Sequence, residues 1–221
     1  MSGRKPTQII SVIGCQLYQP IADLLGSLLN RPYRRPDRVS SNYFEGGYAA
    51  ALIVLLAAVI ESFVQRDRYF HLRTRPAAKP PSTVPEYMKS VLKYRRGAQI
   101  QELLEIRNSV AHNHLWEVEF DTPLGGGRRH KGSSLVPGTH RLRSIPPSLA
   151  RVPRTKLTKL NLLPMRLDRT DVVKGLGICL HALLFLSEKG HSKLSLTDNM
   201  VKIRGQRVPF SQLEAEARSA L

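Results

Sequence analysis

The stretch Glu105-Ile106-Arg107-Asn108-Ser109-Val110-Ala111-His112 sets a guanidinium, an amide and an imidazole close together in the chain. The three types together suit work on a phosphodiester. An imidazole titrates near neutral pH and can pass a proton. A guanidinium can hold a phosphate through two parallel hydrogen bonds and offset the charge gained during attack, and an amide can orient either partner. Such chemistry needs no metal, and neither Cys15 nor Cys179 has a second Cys or a His at ligand spacing. No cofactor is expected either. GxxxxGK[ST] is absent, and the glycines of GLGICLH, 175–181, lack the preceding strand of a dinucleotide fold.

On a helical wheel with Arg107 at zero, Ile100, Leu103, Leu104, Ile106, Val110 and Ala111 fall between roughly 260° and 60°, an arc that a helix would bury. Arg107 lies in the middle of that arc. Glu102, Glu105, Asn108, Ser109 and His112 take the other side, with Asn108 and His112 one turn apart. A guanidinium facing a core is expensive unless it is paired or opens onto an anion. Two readings follow: an anion site that Asn108 and His112 complete, or a bridge from Arg107 to Glu61 that only locks two helices.

The elements that must hold these residues are mostly helical. YQPIADLLGSLL, 18–29, spaces its apolar residues for a short helix. A long Ala- and Leu-rich helix from about Gly47 to Tyr69 is apolar nearly all round at first and belongs in the centre of a bundle. A third helical region follows Pro85 in two pieces, EYMKSVLKYRR and AQIQELLEIRNSVAH, with Gly97 at the break. LWEVEF alternates as a strand does. DVVKGLGICLHALLFLSEKG is a strong helix, capped by Thr170 or Asp171 and closed by Gly190. His181 within it reads as a satisfied core or interface residue. Two short strands around Gly205 and a last helix, capped by Ser211 with Glu214 at the capping-box position, complete the chain.

Charge sets the class of partner. The 34 Lys and Arg against 17 Asp and Glu leave a net charge of +17 over 221 residues, which points to a polyanion, RNA or DNA before an anionic membrane. Residues 121–166 concentrate it: ten Lys or Arg face the single Asp121, among glycines 125–127 and six prolines. This reads as an extended or hairpin-like basic insertion that forms little core, with Arg128, Arg129, Lys131, Arg141 and Arg143 as RNA-backbone contacts. The two cysteines read as reduced thiols of a cytoplasmic protein. The run Tyr48–Ile60 is shorter than the ~20 residues that span a bilayer, so no membrane partner is expected. The length suits one domain, 1–221, with the 121–166 insertion and a small hairpin-plus-helix appendage at 196–221.

Arg107-Asn108-Ser109-Val110-Ala111-His112 resembles the RNxxxH form of the Rx4-6H motif of the HEPN superfamily. The context is similar too: an earlier apolar helix ending in acid (LLAAVIESF), the motif near the end of a later helix, and another apolar helix closing the bundle. The likeness covers roughly 45–118 and 170–190, and Asn113-His114-Leu115-Trp116 depart from the glycine or short loop that often follows the motif. The resemblance implies a mainly α, HEPN-like bundle that forms a homodimer, with Arg107 and His112 of both chains in one composite site. It also implies a metal-independent endoribonuclease of a toxin-antitoxin or antiphage defence system, with an antitoxin protein as partner, that uses the RNA 2′-hydroxyl as nucleophile. In that scheme His112 assists proton transfer, Arg107 stabilises the phosphorane and Asn108 positions them. The alternatives are a non-catalytic HEPN-like module that binds nucleic acid or a nucleotide, or acts as an adaptor, and the plain Arg107–Glu61 bridge.

Overall fold

The computed structural model describes residues 13–33, 43–111, 116–121, 129–135, 154–190, 196 and 198–221. Among them the protein is mainly helical, with six α-helices and two separate two-stranded antiparallel sheets. After a 3-10 turn, Ile13–Leu17, helix α1 runs Tyr18–Leu29 and buries Tyr18, Ile21, Ala22, Leu25, Leu28 and Leu29, the face that its spacing marks.

Helix α2, Tyr43–Thr74, is the axis of the fold and packs against every other α-helix except the last. It is longer at both ends than the apolar run suggests. At its start Glu45 is buried and takes both the backbone N–H (3.2 Å) and Nε (3.1 Å) of Arg169, so the first turn is held from outside despite Gly46 and Gly47. At its far end Asp67 accepts the Tyr87 hydroxyl (2.8 Å), which ties the polar last turns to the next helix. That helix, α3, spans Val84–Ser90, and α4 spans Gly97–Ala111. Between them Lys93 takes a left-handed backbone (φ 61°), and Gly97 opens α4.

Helix α5, Arg169–Lys189, lies against α2. Gly175 permits the close approach, since a Cβ there would stand 2.8 Å from Ile53 Cδ1. The cap of α5 is Asp168, not Thr170 or Asp171. Asp168 Oδ1 accepts the N–H groups of Thr170 (2.8 Å) and Asp171 (3.1 Å), while the Asp171 carboxylate accepts the Asp168 N–H (3.3 Å). The capping box is thus acidic at both positions, and the expected cap, Asp171, serves as its return arm. Gly190 closes the helix as expected; a Cβ there would meet Leu186 O at 2.4 Å.

Strands β1, Trp116–Asp121, and β2, Arg129–Leu135, form an antiparallel hairpin with a register shift between Glu119 and Phe120. The later part of the basic stretch does not behave as a poor core former. Leu160, Leu162, Leu163 and Leu167 are buried, and residues 155–162 lie along α4. Its prolines and cations obscure a short apolar run, NLLPMRL, that joins the core.

Strands β3, Met200–Ile203, and β4, Gln206–Pro209, turn through Arg204 (φ 48°) and Gly205 (φ 85°), two consecutive left-handed residues that match the twist of a tight hairpin. A 3-10 turn, Phe210–Gln212, feeds directly into α6, Leu213–Ser219. Gln212 stands at the cap position with no side-chain capping bond, so the expected Ser211 cap does not form, and Glu214 instead bonds Arg218. Phe210 stacks on Tyr18 at 3.8 Å between centroids, and Val201, Ile203, Leu213 and Ala217 share the main core.

Two helical stretches, Glu45–Thr74 and Arg169–Lys189, are long and apolar enough to cross a bilayer by length and composition. They form the central pair of the bundle, with 50% and 61% of their apolar windows buried inside the fold.

Candidate functional site

Arg107 sits on the third turn of α4, and its Nη2 bonds Oε1 of Glu61 on α2. The contact is half open: the two side chains retain 25% and 33% of their exposure. Nε of Arg107 is buried with no hydrogen-bond partner. A guanidinium has five N–H donors, and this one is only partly used. Asn108 is half-exposed beside it. His112 lies outside the described residues, so its distance from Arg107 belongs to the motif alone.

The open side of α4 is narrower than the wheel suggests. Glu102 and Ser109 are buried, not exposed with Asn108. Ser109 Oγ donates to Leu162 O (3.2 Å), and Glu102 accepts the N–H groups of Leu157 (2.7 Å) and Thr158 (2.8 Å) and the Thr158 hydroxyl (2.6 Å). A wheel cannot register a segment arriving from more than 50 residues away. Glu102 and Ser109 extend the buried arc back to roughly 200°, while Ala111, expected inside it, is exposed, so Arg107 lies toward the edge of the arc and not in its middle. This fits its partial exposure.

Burial alone would raise the Glu102 carboxyl; the hydrogen bonds from Thr158 and Leu157 outweigh it and hold the group below its ordinary range. His181 is satisfied, as expected, through Nδ1 and the Tyr94 hydroxyl (2.9 Å). Burial and the nearby Arg96 lower His181, while burial pushes Tyr94 up to about 12. Cys179 is fully buried on the apolar face of α5, which raises its thiol, and Cys15 is exposed. Among the described residues no three His, Cys, Asp or Glu side chains gather as a metal ion would need.

Of the expected RNA contacts, Arg129 and Lys131 lie on β2, opposite Asp121 and next to Gly132 in the hairpin register, whereas Arg128, Arg141 and Arg143 lie outside the described residues. The sequence reading missed Glu102 as the anchor of the 155–160 turn. The available signal was weak: a single acid on the wheel, at the border of the buried arc.

No family model, no curated protein and no solved structure matches the chain.

Proposed function

We propose that the protein is a metal-independent endoribonuclease of the HEPN type, in which Arg107, Asn108 and His112 form the reacting face. The single observation that carries the reading is the state of Arg107: a partly exposed guanidinium at the edge of the buried arc of α4, with one carboxylate partner and a buried Nε that has none. A partly exposed ion pair contributes only about 0–1 kcal/mol. An RNA phosphate would therefore displace Glu61 at small cost.

In this scheme the RNA 2′-hydroxyl attacks the adjacent phosphorus and the 5′-oxygen leaves, which gives a 2′,3′-cyclic phosphate. His112 moves the proton, Arg107 offsets the charge of the phosphorane, and Asn108 fixes their orientation. A homodimer with both motif helices facing one another would build a composite site, and a cytoplasmic toxin-antitoxin or antiphage setting, with an antitoxin as partner, suits such an activity.

The test is cleavage of RNA by the purified chain in EDTA. Arg107→Ala and His112→Ala should each lower the rate at least about a hundredfold, the scale of one acid-base or electrostatic group, while the fold is retained. Cleavage that survives both changes would remove the assignment. RNA binding with a steep salt dependence and no cleavage under any condition would leave the non-catalytic binding or adaptor module.

A second reading rests on the Arg107–Glu61 contact itself, which is the bridge that a purely structural role requires. Under it, Arg107→Met raises or preserves stability and leaves RNA binding untouched.

A further inference from the structure

Between 154 and 167 the chain carries Arg154, Lys156, Lys159 and Arg166 and no acidic residue. This segment turns tightly. Arg154 pairs with Asn161 in an isolated bridge, Thr155 N–H donates to Leu160 O (2.9 Å), and Leu160 N–H returns to Thr155 Oγ1 (3.0 Å). The turn is gripped from below by Glu102, whose two oxygens take three donors from Leu157 and Thr158. Lys156, Leu157 and Lys159 consequently point outward, Leu157 with 55% exposure.

The cations of this turn are drawn together. Arg154 Nη1 (2.9 Å) and Lys174 Nζ (3.2 Å) donate to the same oxygen, the carbonyl of Lys159, so their charged ends are no farther apart than those two bonds laid end to end. Lys159 itself holds a left-handed backbone (φ 56°), which a side-chain-bearing residue adopts at a cost of about 1 kcal/mol or more. Arg166 is lowered by burial and by the charge of Arg154. The nearby carboxylates are committed elsewhere: Asp171 to Asn161 (2.7 Å), Asp168 to the cap of α5, and Glu105, one turn along α4 from Glu102, to Gln101 (3.1 Å). Arg154 and Lys174 meeting at one carbonyl, with Lys156 and Lys159 exposed on the same turn, make a positive patch that matches an anion with several charges in a row.

We infer that the 154–160 turn, with Lys174 of α5, is a phosphate-backbone contact for RNA, and that Glu102 is the residue that positions it. The inference rests on the nuclease reading for its choice of RNA. Glu102 and Asn108 share α4, about 9 Å apart by the helical rise and roughly 120° apart around the axis, so a strand of RNA that touches both the turn and the Arg107–Asn108 edge would cross the solvent face of α4 at Gln101 and Glu105. The partial apolar character of the patch, Leu157 and Met165 at 55% and 45% exposure, is compatible with sugar and base edges.

The experiment measures binding of a fluorescent single-stranded RNA oligonucleotide, 2′-O-methylated so that it cannot be cleaved, by the full chain against salt concentration. The variant Lys156→Gln, Lys159→Gln, Lys174→Gln should bind more weakly and with a log–log salt slope shallower by about 2, the value for three lost phosphate contacts on a single strand. A control triple with the same charge change, Lys79→Gln, Lys89→Gln, Lys189→Gln, should keep most of the slope. Equal loss in both triples overturns the inference, because net charge alone would then explain binding. Glu102→Gln makes the protein more positive, which by simple attraction tightens RNA binding; positioning requires the opposite, a several-fold loss. Tighter or unchanged binding overturns the role of Glu102. Preference for vesicles of anionic phospholipid, with the RNA slope of the first triple unchanged, assigns the patch to a membrane surface and overturns the inference while the nuclease reading stands. No RNA binding by the wild type overturns both.

Discussion

Arg169 and Arg107 each tie a helix to α2 through a glutamate, and the two bridges differ in every other respect. Arg169 is 2% exposed; it gives Nε to Glu45 Oε1 (3.1 Å) and Nη2 to Glu45 Oε2 (3.3 Å), to Leu28 O (3.3 Å) and to Arg31 O (3.1 Å), and it lies over the Tyr33 ring at 4.7 Å. Arg107 makes a single contact to Glu61, keeps a buried Nε without a partner, and is open to solvent on one side. The first is what this fold builds when an arginine has only to hold helices together. The second leaves one buried donor without a partner and one side of the guanidinium open to water.

The sharpest way to break the comparison is to remove each glutamate. Glu45→Ala strands a buried guanidinium and should lower stability by about 3–5 kcal/mol in urea unfolding. Glu61→Ala leaves a guanidinium that water can reach and should cost no more than about 1 kcal/mol. Comparable losses in the two variants would show that Arg107 is as structural as Arg169 and would favour the plain bridge.

What the sequence made legible follows from how local each signal is. The limits of α1, the tight hairpin at Gly205 and the Gly190 stop all rest on neighbouring residues, and the structure has them where the pattern puts them; the break before α4 comes earlier than expected, at 91–96, so that EYMKSVLKYRR is helical only to Ser90 and Gly97 begins α4. Asp168 escaped notice because its box returns through another aspartate rather than the commoner glutamate. Residues 155–163 escaped because composition averages over a stretch, and the six prolines and ten cations of 121–166 hide the four leucines gathered at 157–163. For the site, the wheel marked Arg107 as a cation on a largely apolar face, and the acid at the polar end of the apolar run of α2 offered Glu61 as its bridge partner, a contact that the structure has. The wheel misplaced Glu102 and Ser109, whose surroundings are set by a segment 53 to 56 residues further along the chain. Such contacts carry no local signature.

A gentler substitution sharpens the same contrast through function. Glu61→Gln keeps the shape of the bridge and removes its charge, so Arg107 no longer has to exchange one anion for another. RNA affinity should rise by up to about fivefold, the equivalent of the roughly 1 kcal/mol that an exposed pair can hold. The matching change at Glu45 should leave the affinity of the folded protein unchanged, because Arg169 faces no solvent from which a phosphate can approach. An affinity that stays level in Glu61→Gln would mean that the carboxylate and the RNA do not compete.

The smallest effect concerns the third engaged glutamate. Glu102 has its folded-state carboxyl lowered from the ordinary 4.5, with burial opposing the shift and the hydrogen bonds of the 155–160 turn producing it. A lowered value means that the charged form is the one the fold prefers. Its stabilisation is therefore complete above the unfolded value and disappears as the pH falls through the folded one. The stability difference between wild type and Glu102→Gln should be constant from neutrality to about pH 5 and shrink below it, read from urea unfolding at successive pH values. The change is modest because burial cancels part of what the three donors contribute. A difference near zero at every pH would show that the turn is held by its own threonine network, Thr155 to Thr158 at 2.8 Å, and that the carboxylate under it is incidental.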